Sequence, residues 1–247
     1  METEASQITT NLSEMPPVER TSESSHLVTP NNSPKPSYLN LVSNICALIF
    51  TGIILYCCFK DGASLFSFHP TLMALGWLIL MTSAINAVTP GDFATEWMPI
   101  RLRSARHWVL QLLAGLIILV GFLVILSNKI INNKYHFQTL HAKFGLAALV
   151  FVCFTSFGGL GALYSLKLKD YLAPIYIKLL HASVGLVTFC LGTITIILGT
   201  FSKWWSFGEV LRYTSLVLAL IILILTVLRP CLKVYFRLKE RLGYSNN

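Results

Sequence analysis

Four histidines carry the chemistry this chain can offer: His69, His107, His141 and His181. They are 38, 34 and 40 residues apart, each gap about one membrane crossing plus a loop, and each stands at or near the start of a long apolar run. Neutral imidazole is the commonest metal ligand and a usual axial ligand of haem iron. If the runs are helices crossing in alternating directions, His69 and His141 open helices from one face, and His107 and His181 from the other. The four then resolve into two same-face pairs, and facing helices of a bundle can aim such a pair at a flat cofactor between them. Zinc fits less well. It takes four ligands in structural sites and three in most catalytic ones, and no Asp or Glu lies at helical spacing from any of the four. A lone interfacial histidine commonly marks only the membrane boundary. Four of them, at successive run starts and in same-face pairs, favour a bis-histidine design.

Two glycines repeat with the histidines. Gly145 follows His141 by four residues and Gly185 follows His181 by four, so each shares a helical face with its histidine. A missing side chain there gives a porphyrin clearance or lets helices pack closely. Basic residues flank one pair. Arg106 precedes His107, Lys178 lies three residues before His181, and Arg101 and Arg103 are close by. Arg106 and Lys178 are candidate propionate contacts, as is Lys143 at the opposite face, and Arg101 and Arg103 are candidates for holding a small anion such as ascorbate. His136, five residues before His141, is a candidate for binding an oxidised metal substrate, although a surface imidazole needs further partners to hold a metal.

The elements that must place these groups follow from composition. Of 247 residues, 54% are hydrophobic and 12% charged, against about a quarter charged in soluble domains. Six apolar runs, near 39–59, 69–89, 107–127, 141–164, 180–201 and 211–229, approach the length of about 20 residues that crosses a bilayer. Backbone polar groups in lipid must be satisfied within the segment, which selects helices, and the alternating strands of a barrel are absent. The expected fold is all-α: a six-helix transmembrane bundle over 38–235, with helices 2–5 enclosing the cofactors. Residues 1–37 are polar and expected to be a disordered tail. Residues 236–247 are expected to form a basic tail. The six cysteines lie in or beside apolar runs without a CxxC pair, as small buried residues. Trp97, Trp108, Trp204 and Trp205 are expected as interface anchors.

Thirteen of the 19 basic residues fall in the tails and in loops 95–106 and 165–179. The positive-inside rule then puts both termini in the cytoplasm. The N-x-S sequons at Asn11 and in Asn31-Asn32-Ser33 would lie on the wrong side for glycosylation. The net charge of +8 sits in short clusters and forms no nucleic-acid-binding patch. Dinucleotide, Walker A and G-x-S-x-G motifs are missing. Gly158-Gly159-Leu160-Gly161 lacks the strand–turn–helix setting of a phosphate loop. No internal repeat is evident beyond the histidine spacing.

The chain resembles the cytochrome b561 family, particularly its single-domain members. The likeness is carried by Leu65-Phe66-Ser67-Phe68-His69-Pro70, Arg106-His107-Trp108, His141 with Gly145, and Lys178-Leu179-Leu180-His181 with Gly185, and it extends over about 39–235. It implies two haem b groups, one held by His69 and His141 and one by His107 and His181. It further implies electron transfer across the membrane from cytoplasmic ascorbate to monodehydroascorbate radical or ferric iron, so a transmembrane reductase. A histidine at the position of His136 also occurs in that subgroup, whereas the ascorbate-site residues of better-known members do not map cleanly onto this chain. The expected setting is an endoplasmic reticulum or cytoplasmic vesicle membrane in preference to the plasma membrane, with a homodimer among the possible assemblies. The alternatives are a haem-bearing anchor subunit feeding a partner enzyme or quinone, a histidine-dependent metal transporter, and a purely structural membrane protein. A transporter calls for acidic groups deep in the crossings, and the runs offer little beyond Asn44, Asn86 and Gln111.

Overall fold

A computed structural model describes residues 38–241, and those residues form helices long and apolar enough for six membrane crossings. They are α1 (Leu39–Phe59), α2 (Leu65–Ala87), α3 (Ile100–Ile131), α4 (Leu140–Leu163), α5 (Pro174–Thr200) and α6 (Glu209–Arg241). The expected all-α class is what the described residues show. The 1–37 segment, with His26 and the sequons, and residues 242–247 lie outside the described residues.

Local chemistry sets where the histidine helices begin. Ser64 caps α2: its hydroxyl accepts from the Ser67 amide, while the Ser67 hydroxyl accepts from the Ser64 amide, a reciprocal cap that satisfies two otherwise free donors. Thr139 caps α4 by accepting from the Ala142 amide. Pro174 opens α5 at a position where its fixed φ suits a helix and its missing N–H costs nothing.

α2 packs along α3, α4 along α5, and α1 against α2 and α6. The buried core includes Phe50, Trp77, Leu78, Ile118, Phe189 and Ile222. Outward faces carry apolar side chains such as Leu112, Leu116 and Leu119, as a helix solvated by lipid must. Inside α2, residues Ala74–Met81 are π-helical. This is the one π stretch among the described residues, and it follows Pro70, which removes a donor from the helix.

Helix boundaries differ from the sequence expectation in α3, α5 and α6. The runs counted from the first unbroken apolar residue, but α3 starts seven residues before His107 and α5 seven before His181. The extra turns carry Arg101, Arg103, Arg106 and Lys178, so the histidines at this end sit two turns inside their helices. At the other end of the chain α6 continues unbroken through Arg241, so residues 236–241 are helix. Leu232, Lys233, Phe236, Arg237 and Lys239 are ordinary helix formers with no breaker among them.

The α2–α3 connection is tied down from three sides. Buried Asp92 accepts from Asn40 Nδ2 (3.2 Å) and Thr95 Oγ1 (2.8 Å). Glu96 accepts from the Gly91 amide (2.8 Å) and from Arg103 Nη1 (3.1 Å). Arg229 of α6 donates to the Pro90 carbonyl (2.9 Å).

Candidate functional site

The four histidines come together in two pairs at opposite ends of the α2–α5 core. The rings of His69 and His141 have centroids 6.1 Å apart with planes at 83°. Those of His107 and His181 are 6.2 Å apart at 86°. Along α4, the level of the second pair, at Thr155, is about 21 Å from His141 at the α-helical rise.

Backbone carbonyls fix the chemistry of the rings. His69 Nδ1–H donates to the Gly121 carbonyl (2.9 Å), His107 Nδ1–H to Ala84 (2.8 Å) and His141 Nδ1–H to Thr195 (2.9 Å). A carbonyl oxygen can only accept, so Nδ1 must carry the proton and Nε2 keeps its lone pair for a metal. His181 faces the corresponding carbonyl of Thr155, and its buried Nδ1 closes no hydrogen bond.

The spacing tests whether one metal centre fits each pair. About 2 Å of metal–nitrogen bond plus about 1 Å from nitrogen to ring centre, taken twice, gives about 6 Å, which the observed separations match. Among the described residues no three His, Cys, Asp or Glu side chains converge, so each site offers its two imidazoles alone. That donor set suits an iron whose other four ligands come from a porphyrin.

A cavity of about 320 Å³ joins His69 and His141, within the range of small-ligand sites. Trp77 lines it, its ring lying against Gly192 of α5. Lys129, His136 and Lys203 also line the cavity. At the other end a groove of about 380 Å³ runs beside His181 between α4 and α5, walled by apolar residues such as Phe154, Ile177 and Leu180.

Several sequence candidates are placed differently from expectation. Lys143 is exposed and off the cavity wall, whereas Lys129 and Lys203 are on it. Arg103 is committed to Glu96 through Nη1, and its Nε is buried without a partner. Arg101, Arg106 and Lys178 are exposed. Exposed Lys233 of α6 lies within electrostatic reach of Arg103 and Arg237, a cation from a helix that local sequence could not bring to this end. His136 is half-buried at the cavity.

A Cβ at Gly145 would meet Thr195 at 3.3 Å, and one at Gly185 would meet Thr155 at 3.6 Å, so both serve α4–α5 packing, with Gly145 also on the cavity wall. The glycines under the rings are Gly199, where a Cβ would meet His141 at 3.2 Å, and Gly159, where it would meet His181 at 3.2 Å. Of the expected interface anchors, Trp205 is buried, and Trp204 lines the cavity and donates to the Gly199 carbonyl (2.8 Å).

Comparison with known proteins gives the family. A family model described as eukaryotic cytochrome b561 matches residues 68–206, which contain all four histidines. The proteins named transmembrane reductase CYB561D2 from Mus musculus and Homo sapiens are each 37% identical over 164 residues, 66% of this chain and 73% of theirs. Probable transmembrane reductase CYB561D1 from Mus musculus is 30% identical over 165 residues, 67% of this chain and 71% of its own length. The chain belongs to the cytochrome b561 family.

Proposed function

We propose that this protein is a two-haem transmembrane reductase, with one haem b between His69 and His141 and another between His107 and His181. The observation that carries the reading is the pair of ring separations, 6.1 and 6.2 Å, at opposite ends of one helical core. Haem iron supplies reversible one-electron exchange when bound. The chain supplies everything else. Backbone carbonyls hold the ring orientation of His69, His107 and His141. The apolar walls keep water from the iron and set a low dielectric, two levers on its potential.

The basic bias of one end supports placing the His107/His181 pair toward the cytoplasm, with both termini on that side. Ascorbate is the proposed donor there, with Arg101, Arg103 and Lys233 as candidate contacts for the anion and Arg106 and Lys178 for haem propionates. At the opposite face, Lys129, Lys203 and His136 are the groups available to a propionate or an anionic acceptor, with Lys143 farther out. Monodehydroascorbate radical and chelated ferric iron are the proposed acceptors, and an endoplasmic reticulum or vesicle membrane is the proposed setting. The apolar groove beside His181 favours one second reading, a haem-bearing subunit that exchanges electrons with a quinone in the bilayer.

Purified protein in sealed vesicles, with ferric chelate enclosed and ascorbate outside, separates the two. Ferrous iron should form inside without any partner protein. Reduction that needs added quinol or a partner would favour the second reading.

A further inference from the structure

The carbonyls that orient the histidines obey a counting rule. His69 binds the carbonyl of Gly121, which follows His107 along α3. His141 binds that of Thr195, which follows His181 along α5. His181 faces that of Thr155, which follows His141 along α4. The step from ligand to carbonyl is the same in all three helices: 107 to 121, 181 to 195 and 141 to 155. It is close to four turns of an α-helix, so ligand and carbonyl point to nearly the same side at opposite ends of one helix. α2 breaks the rule. His107 binds Ala84, and the step from 69 to 84 is one residue longer. One extra residue turns an α-helix by about 100°, enough to aim the Ala84 carbonyl away from His107. The one π-helical stretch among the described residues, Ala74–Met81, lies between His69 and Ala84. Its i→i+5 bonding takes one more residue into the turn.

We propose that Ala74–Met81 is a one-residue register insertion that lets α2 serve both sites at once, with His69 aimed into one and the Ala84 carbonyl positioned for His107 in the other. Pro70 facilitates it: the donor missing from the preceding turn loosens the α-pattern, and a local π adjustment is one way membrane helices absorb such a loss. Gly76 and Trp77 hold the stretch in place. A Cβ at Gly76 would lie 2.6 Å from Ile118, and Trp77 rests on Gly192. The consequence for two centres rests on the haem reading; the register itself does not.

Deleting Leu80, beyond Gly76 and Trp77, tests this. It shortens the His69-to-Ala84 step to that of the other three helices, so the stretch should close into plain α-helix with His69 and the Ala84 carbonyl both still in place. The control is deletion of Leu116 from α3, which has no π stretch between His107 and Gly121 to absorb the loss. The readout is the low-spin ferric EPR spectrum, with signals assigned through His69→Ala and His107→Ala. The expected result is native signals from both sites in the Leu80 deletion and a lost or shifted His69/His141 signal in the Leu116 deletion. Nitrogen-15 NMR of histidine-labelled protein reads the His107 Nδ1–H bond without any cofactor, so failure of the haem reading is distinguishable from failure of the register. A lost or shifted His107/His181 signal in the Leu80 deletion, native signals from both sites in the Leu116 deletion, or a Leu80 deletion that cannot be purified overturns the proposal.

Discussion

Three imidazoles of the core, those of His69, His107 and His141, work through both nitrogens. Nδ1 is bound by the protein's own backbone, and Nε2 keeps its lone pair for a metal. This division makes the ligands specific to their pair: His107→Ala or His181→Ala should abolish one of two haem signals and block reduction by ascorbate, while the His69/His141 signal persists. Retention of both signals with full ascorbate reducibility would sink the assignment. Close packing is equally specific at Gly192, where a Cβ would lie 2.1 Å from the Trp77 ring. Gly192→Ala should therefore cost about 1–3 kcal/mol through forced displacement of that ring. A thermal melt checks it, and an unchanged midpoint counts against the packing described. The four histidines and their pairing could be read from sequence because alternating helices fix which ends share a face. Gly159 and Gly199 could not be tied to His181 and His141 in the same way, since each contact joins residues on different helices. Arg103 looked free in sequence because its partner Glu96 lies outside the helix, in the preceding connection.

At the level of elements, the six crossings follow from apolar length, and their errors have one origin. Hydropathy marks where lipid begins, whereas a helix ends where hydrogen bonding ends, so α3, α5 and α6 all run past their apolar runs. The repeat unseen in the sequence is also an element property. A 40-residue offset relates His141, Gly145, Thr155 and Gly159 of α4 to His181, Gly185, Thr195 and Gly199 of α5. Each helix gives the other a carbonyl facing the histidine, a threonine against its first glycine and a glycine beneath the ring. Only the packing shows that these matched positions are in mutual contact. The π stretch of α2 left no sequence signal, because its meaning lies in a count to a carbonyl on another helix. The α2–α3 connection depends on Asp92. Asp92→Ala leaves Asn40 Nδ2 and Thr95 Oγ1 without that acceptor in a buried place, and should destabilise the protein by about 1–3 kcal/mol. A melting temperature equal to that of the unaltered protein would show that the connection does not need it.

At the scale of the whole molecule, two centres about 21 Å apart along the helix axis fit within a hydrocarbon core of about 30 Å, so each lies near one face. The cationic groups differ between the ends, and so should their substrates. Exposed Lys203 at the cavity should help draw anions to the His69/His141 end. Lys203→Glu is expected to slow reduction of an anionic ferric chelate about tenfold at low salt, with little effect on a cationic acceptor, and added salt should shrink the difference. Equal effects on both acceptors would remove Lys203 from the proposed acceptor path. The central claim, two bis-histidine centres in one chain, is tested most directly by low-temperature EPR of the purified oxidised protein together with its haem-to-protein ratio. Ring planes at 83° and 86° should give two strongly anisotropic low-spin ferric signals of equal intensity at two haems per chain. A single signal at one haem per chain, or high-spin iron lacking a second axial histidine, would contradict it.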